Sequence, residues 1–214
     1  MLKIVLGNKK YSSWSLRPWL ALRLTGAPFE EVVVGLDMPE TAQNIRKYSP
    51  SGRVPALIDG ALTIWESLAI CEYLAEKFPK PGLWPQDPAA RALARSISSE
   101  MHAGFSNLRN DCSVKFLQQY PAKPLRPETQ ADVDRIVALW NECLQKSGGP
   151  YLFGARPGIA DAMYAPVVSR FRTYSIPVSG AAKAYCDTVW ALPALQDWLA
   201  AARAETLRAK LHED

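Results

Sequence analysis

Hydroxyls and charges gather in two short stretches of this chain. Residues 11–18 read YSSWSLRP, which sets Ser12, Ser13 and Ser15 in a row behind Tyr11, with Arg17 four residues after Ser13. Residues 53–78 read RVPALIDGALTIWESLAICEYLAEKF. There an extended segment enters the Val54-Pro55 bond, a hairpin follows, and the pair Glu66-Ser67 opens an apolar-striped helix. A hydroxyl at a helix start lies where free N–H groups and the helix dipole attract an anion. Ser67 is therefore suited to a carboxylate. The order of these parts describes a pocket for a small peptide with a free carboxylate. The serines of the first stretch could set a hydroxyl where that peptide's reactive atom lies.

The elements that must position these residues follow from periodicity and punctuation. Residues 2–7 form a short β-rich run, and Leu16, Trp19, Leu20 and Leu24 then recur at helical spacing up to Gly26. Pro18 is tolerated only in a first turn, which predicts a helix start near residues 13–15, with one of the serines, Ser15 foremost, as its cap. A second β-rich run covers 29–36, and a loose helical turn covers 39–48. Strand, helix, strand in this order predicts a parallel pair with a right-handed crossover. Residues 56–58 and 62–65 are two short strands joined at Asp59-Gly60, a hairpin signal. From Ser67 onward, Ile70, Cys71, Leu74 and Phe78 share one helix face.

The composition then changes. The tract FPKPGLWPQDP packs four prolines between residues 78 and 88, and reads as a linker. Beyond it every periodic segment is helical. Leu93, Ile97, Met101, Phe105 and Leu108 form one stripe, and Val133, Ile136, Val137, Trp140 and Leu144 a second that stops before Gly148-Gly149-Pro150. A third helix covers 159–174 with a kink at Pro166, and two shorter ones cover 180–190 and 193–208. The charged tail after Ala204 is expected to fray. The fold class is α/β plus all-α. The domains are residues 1–78, a linker over 79–88, and a helical domain over 89–214.

Bulk properties exclude several classes. At 214 residues the chain can bury a sizeable core. A net charge of only +4, without a basic run, argues against nucleic acid and against an anionic membrane surface. Met1 leads directly into LKIVLG, too short an apolar run for a signal peptide, and no stretch reaches membrane-spanning length. Cys71, Cys112, Cys143 and Cys186 are widely separated and form no CxxC, so neither a zinc site nor a dithiol pair is expected. Reduced thiols in the cytoplasm are the corresponding expectation. No metal and no bound cofactor are expected.

The motifs YSSWSLRP, GRVPALIDG, WESLAICEYL, LWPQDPAAR and GIADAMYAP, in this order over essentially the whole chain, resemble the cytosolic glutathione transferases. Within that family the chain looks most like the serine-type classes, particularly the zeta-like branch, whose signature begins SSCS where this chain has SSWS. The resemblance implies a thioredoxin-like first domain that binds glutathione and a helical domain that lines the second substrate's pocket. It implies a cis Val54-Pro55 bond, with the Val54 backbone pairing to the cysteinyl amide of glutathione as an added strand. It implies that Ser67 takes the γ-glutamyl carboxylate and Glu66 the ammonium group. Asp161 would cap a helix in the GIADAMYAP motif, where Gly158 stands in place of the family's Ser or Thr.

The implied chemistry is activation of the glutathione thiol for attack on small electrophiles, a detoxifying conjugation. A free thiol has a pKa of about 8.5, and lowering it by about 2 units takes roughly 2.7 kcal/mol. One hydrogen bond to a charged partner supplies roughly 1.5–3 kcal/mol, and a helix N-terminus up to about 1 kcal/mol. Ser13 is the favoured donor because it lies four residues before Arg17, the spacing of serine-type relatives. Ser12 follows closely, and Tyr11 comes late for the role. Arg17 is a candidate for lining the glutathione site. Trp14, Met101, Phe105 and Arg172, with Arg170 as an alternative and His102 as too isolated for a base, are the candidates for the electrophile pocket. Two other readings stay open. One is cis-trans isomerisation of maleylacetoacetate type, against which Trp14 in place of cysteine weighs. The other is a non-catalytic interaction module, against which the Glu66-Ser67 pair weighs. The expected partners are glutathione, a small apolar electrophile and, by the resemblance, a second copy of the chain.

Overall fold

A computed structural model describes residues 1–207. The chain runs β1 (Leu2–Gly7), α1 (Ser13–Thr25), β2 (Phe29–Val34), α2 (Thr41–Arg46), β3 (Ala56–Asp59), β4 (Leu62–Trp65) and α3 (Ser67–Lys77). It continues as α4 (Pro88–Ala103), α5 (Ser106–Asp111), α6 (Pro127–Ser147), α7 (Ile159–Thr173), α8 (Gly180–Trp190) and α9 (Pro193–Ala204). The sheet has the order β2-β1-β3-β4, with β1 parallel to β2 and antiparallel to β3. β3 and β4 form the hairpin around Gly60, in the register Asp59 opposite Leu62. This is a thioredoxin-like α/β layer followed by an all-helical part.

Successive strand residues face opposite sides. In β1, Leu2, Ile4 and Leu6 join the large core, whereas Val5 faces α2 with Val34, Ile45 and Ala56. The large core does not stop at the sheet layer. It runs from β1 through Leu16, Trp19 and Leu20 of α1 and Ile70, Cys71 and Leu74 of α3 into Met163, Trp140, Tyr185 and Trp198 of the helical part. Nearly all of α7 is buried, so α7 is the spine on which α1, α4 and α8 pack.

Several local expectations change. The cap of α1 is Ser12, not Ser15: its Oγ accepts from the Ser15 N–H at 3.3 Å. Ser15 Oγ instead accepts from the Gly7 N–H at 2.9 Å, tying the helix to the end of β1. With the helix starting at Ser13, Pro18 falls in the second turn rather than the first. Its missing N–H leaves the Trp14 carbonyl without an i→i−4 partner. The continuous stripe from Leu93 to Leu108 is two helices. Phe105 sits in the left-handed region at φ 59°, which ends α4 and starts α5. The α7 helix continues through Pro166. The last helix ends at Ala204, and residues 208–214, including the end of the expected 193–208 helix and most of the tail, lie outside the described residues. Just after Ala204 the chain is held, not frayed: the Glu205 carboxylate accepts from the Lys9 N–H at 2.9 Å and the Lys10 N–H at 3.3 Å.

Candidate active site

The first turn of α1, the start of β3 and the start of α3 meet where the sheet layer faces α4. A cavity of about 410 Å³ opens there, lined by Trp14, Ser51, Arg53, Val54, Pro55, Glu66, His102 and Ala103. The Val54-Pro55 peptide is cis. The ladder of β3 begins at Ala56, paired with Val5 and Trp65, so Val54 lies just outside it. Its backbone is positioned at an end of the sheet where an extended ligand can add hydrogen bonds.

Glu66 occupies the corner between β4 and α3 with φ 72° and ψ 129°. A non-glycine residue there is strained, and such strain persists where the surroundings fix it. The carboxylate is half exposed at the cavity. Ser67 is fully buried in the first turn of α3, and its Oγ has no hydrogen-bond partner among the described residues. A buried hydroxyl without a partner in the first turn of a helix, where the leading N–H groups have no intrahelical acceptor, leaves hydrogen-bonding capacity unused.

The serines of α1 separate by their bonds. Ser12 Oγ donates to Ser15 Oγ at 2.8 Å while capping the helix, so its proton is already committed. The Ser13 hydroxyl makes no hydrogen bond among the described residues, although the residue is largely buried. Trp14, half-buried, is stacked on by two cations. The Arg17 guanidinium lies 4.3 Å and that of Arg109 4.7 Å from its ring centroids.

Arg17 does not line the cavity. It is fully buried behind Trp14, with Nε donating to the Met163 carbonyl at 3.1 Å and both terminal nitrogens without a partner among the described residues. Burial, together with the Arg109 and Arg170 cations, pulls its pKa well below the ordinary guanidinium value. Arg170 is also buried, with Nε on the Cys112 carbonyl at 2.8 Å, and burial draws its pKa down to about 10. Arg109 donates to the carbonyls of Gly104, Met101 and His102 at the end of α4.

The structure thus brings Trp14, Val54, Pro55 and Glu66 together, with Ser12, Ser13, Arg17 and Ser67 just behind that wall. Of the other electrophile-pocket candidates it brings His102 there, but not Met101, Phe105, Arg170 or Arg172. Met101 is fully buried core, and Phe105 is the buried joint between α4 and α5. Arg172 faces a separate groove and stacks on Trp190 at 4.7 Å. His102, read from the sequence as isolated, lies on the cavity, with Nε2 3.7 Å from Glu66 Oε2 and its ring 5.2 Å from that of Trp14. Nothing in the sequence spacing signals this, because the two partners belong to different elements 36 positions apart. Ser51, Arg53 and Ala103 complete the wall, and the sequence singles out none of these three.

Comparison with known proteins adds independent findings. The model "Glutathione S-transferase, N-terminal domain" matches residues 11–77, and "Glutathione S-transferase, C-terminal domain" matches residues 123–201. The chain is 33% identical to maleylacetoacetate isomerase of Rattus norvegicus over 180 residues, covering 83% of this chain and 82% of that protein. It is 30% identical to glutathione S-transferase Z1 of Arabidopsis thaliana over 204 residues, covering 89% and 90%. Among solved structures, a maleyl pyruvate isomerase described as a bacterial zeta-class glutathione S-transferase superposes with a TM-score of 0.73 at 25% identity, covering 94% and 97%. A glutathione transferase homolog from Burkholderia with bound glutathione shares the fold with a TM-score of 0.73 at 24% identity, covering 95% and 99%.

Proposed function

Because this chain belongs to the glutathione S-transferase family, on its zeta-like branch, we propose that the cavity beside Trp14 binds glutathione and turns its thiol into an attacking thiolate. In this reading the tripeptide lies along Val54, whose backbone pairs with the cysteinyl amide. Ser67 and the free N–H groups of α3 take the γ-glutamyl carboxylate, and Glu66 takes the ammonium group. The sulfur then points to the first turn of α1. Ser13 donates a hydrogen bond to it, because its hydroxyl is free while that of Ser12 is spent on Ser15. The convergence of Trp14, the cis Val54-Pro55 unit and Glu66 on one cavity carries this reading.

Trp14 forms the wall nearest the electrophile. In conjugation the thiolate attacks an electrophilic carbon, a C–S bond forms, and the leaving group departs with the bonding pair. A second reading has a specific observation behind it. Two guanidinium groups within 5 Å of the Trp14 ring make this end of the cleft positive, which suits an anionic alkene such as maleylacetoacetate. There the thiolate adds to the double bond, the resulting single bond rotates, and elimination regenerates thiolate and the trans alkene. The kinship with maleylacetoacetate isomerases supports it as well.

The decisive measurement follows tryptophan fluorescence during a glutathione titration and thiolate absorbance as pH is varied. Binding with a lowered thiol pKa is expected; absence of binding returns the chain to an interaction module. Turnover of maleylacetoacetate against a haloarene then separates isomerase from transferase. We also assign a homodimer, on the exposed Leu62 and Trp65 of the edge strand β4. We place the protein in the cytoplasm on its four free buried thiols. No helix among the described residues is long and apolar enough to cross a membrane.

A further inference from the structure

One side chain of the helical part reaches the carboxylate that the glutathione reading assigns to the ligand. His102, the penultimate residue of α4, places Nε2 3.7 Å from Glu66 Oε2. The contact is too long for a hydrogen bond and is ionic only when the imidazole is protonated. It is the sole partner of the Glu66 carboxylate among the described residues. The imidazole is fixed edge-on to Trp14, and its Nδ1 is buried without a hydrogen bond. The ring therefore has one nitrogen directed at a charge and that charge is Glu66.

We propose that His102 is a second occupant of the Glu66 carboxylate, competing with the ammonium group of glutathione, so that the γ-glutamyl pocket accepts ligand when His102 is neutral and closes to it when His102 is protonated. This rests on the reading that Glu66 takes that ammonium. A single exposed carboxylate can face either cation at close range. An imidazolium held there also repels the incoming ammonium.

The groups that face the ring are Glu66 from the β4–α3 corner, Arg17 from α1 and Arg109 from α5, with Arg53 across the cavity. Burial lowers the imidazole pKa first; Glu66 raises it, and the two arginines lower it further, so that the balance falls below the ordinary histidine value. His102 is accordingly neutral at pH 7 and above, where the pocket is open. Protonation on acidification brings the competitor into place.

Calorimetric titration with S-methylglutathione between pH 5 and 8 tests this. The capped sulfur removes thiol ionisation, and the window stays above the ordinary carboxylate range. Affinity of the unaltered protein should fall about three- to tenfold from pH 7 to pH 5, as one competing proton on a histidine allows. His102→Gln should lose most of the fall, read as the ratio of its own affinities at pH 7 and pH 5. Glu66→Gln should bind weakly at every pH in the window and also lose it. A des-amino analogue should show no fall with the unaltered protein. An equal fall in the unaltered protein and His102→Gln, or a flat profile in the unaltered protein, overturns the competition while leaving the glutathione reading intact. No binding by either protein at any pH overturns the glutathione reading itself.

Discussion

At the scale of single residues, the two adjacent serines have different duties and can be separated by different measurements. Ser13→Ala removes the free hydroxyl. The bound thiol's pKa should rise by about 1–2 units, and kcat/KM near pH 6.5 should fall about 10- to 100-fold, as loss of one charge-assisted hydrogen bond requires. Its melting temperature should barely move. Ser12→Ala removes a helix cap and should cost about 1 kcal/mol of stability instead. If Ser12→Ala raises the thiol pKa and Ser13→Ala does not, the roles are reversed. Asp161 is a residue-scale case of another kind. Its carboxylate is fully buried and accepts from the Gly158 N–H at 2.8 Å and the Leu152 N–H at 3.1 Å. Burial pushes its pKa up to about 6, against the pull of those N–H groups. The folded state therefore holds this proton more tightly than the unfolded chain. The group's favourable contribution is complete below about pH 4 and is lost as pH rises through 6. Asp161→Asn should remove that slope from a stability-against-pH profile between pH 4 and 6. It should also cost about 1–3 kcal/mol at neutral pH, because one buried N–H loses its acceptor. An unchanged slope would show that Asp161 titrates alike in both states.

At the scale of elements, the start of α7 explains a departure from the family pattern. Gly158 has φ −131°, a conformation open to any residue, so its glycine is not kept for backbone freedom. A Cβ added there would stand 2.7 Å from the carbonyl oxygen of Leu83, which also accepts from the Ile159 N–H at 2.9 Å. The serine or threonine expected in a capping box does not fit beneath the linker, and only the Asp161 half of the box remains. Gly158→Ala should thus destabilise by about 1–3 kcal/mol through overpacking, read in urea unfolding. A neutral result would mean that the linker moves aside at no cost. This site also shows what the sequence could carry. Apolar spacing marks the helices and the Asp59-Gly60 turn signal marks the hairpin, because both signals lie within a few residues. The split of α4 from α5 was hidden because Met101, Phe105 and Leu108 keep helical spacing across it, while the break depends on one left-handed backbone at Phe105. The Leu83 carbonyl over Gly158, the burial of Arg17 and the meeting of His102 with Glu66 were hidden for one reason: each depends on contacts between distant elements that local periodicity does not encode.

At the scale of the molecule, the two family-model regions share one interior. Trp19 of α1 packs edge-on against Trp198 of α9 at 5.1 Å, and Trp198 Nε1 donates to the Lys9 carbonyl at 3.0 Å. Arg17 reaches across to Met163, and Leu16, Leu20 and Leu22 are all essentially inaccessible in the assembled chain. A chain ended at residue 87 would expose the side of α1 that packs on α7 and α9, including Trp19 where it meets Trp198 and Arg17 where it meets Met163. Burial of one leucine-sized side chain is worth about 1.5–3 kcal/mol, and domain stabilities are about 5–15 kcal/mol, so losing three or four such side chains exhausts the margin. Arg17 adds to the coupling in the opposite sense, since a buried cation with two nitrogens unpartnered and no acid beside it among the described residues is costly to hold. The assembled chain tolerates that cost because the surrounding core is continuous. The full-length protein is therefore expected to unfold in urea as one transition, with fluorescence and far-ultraviolet circular dichroism coinciding. The 1–87 fragment should show no cooperative transition at all. Two separated transitions in the full chain, or a folded fragment, would mean that the sheet layer carries enough core of its own and that α1 does not depend on α7 and α9.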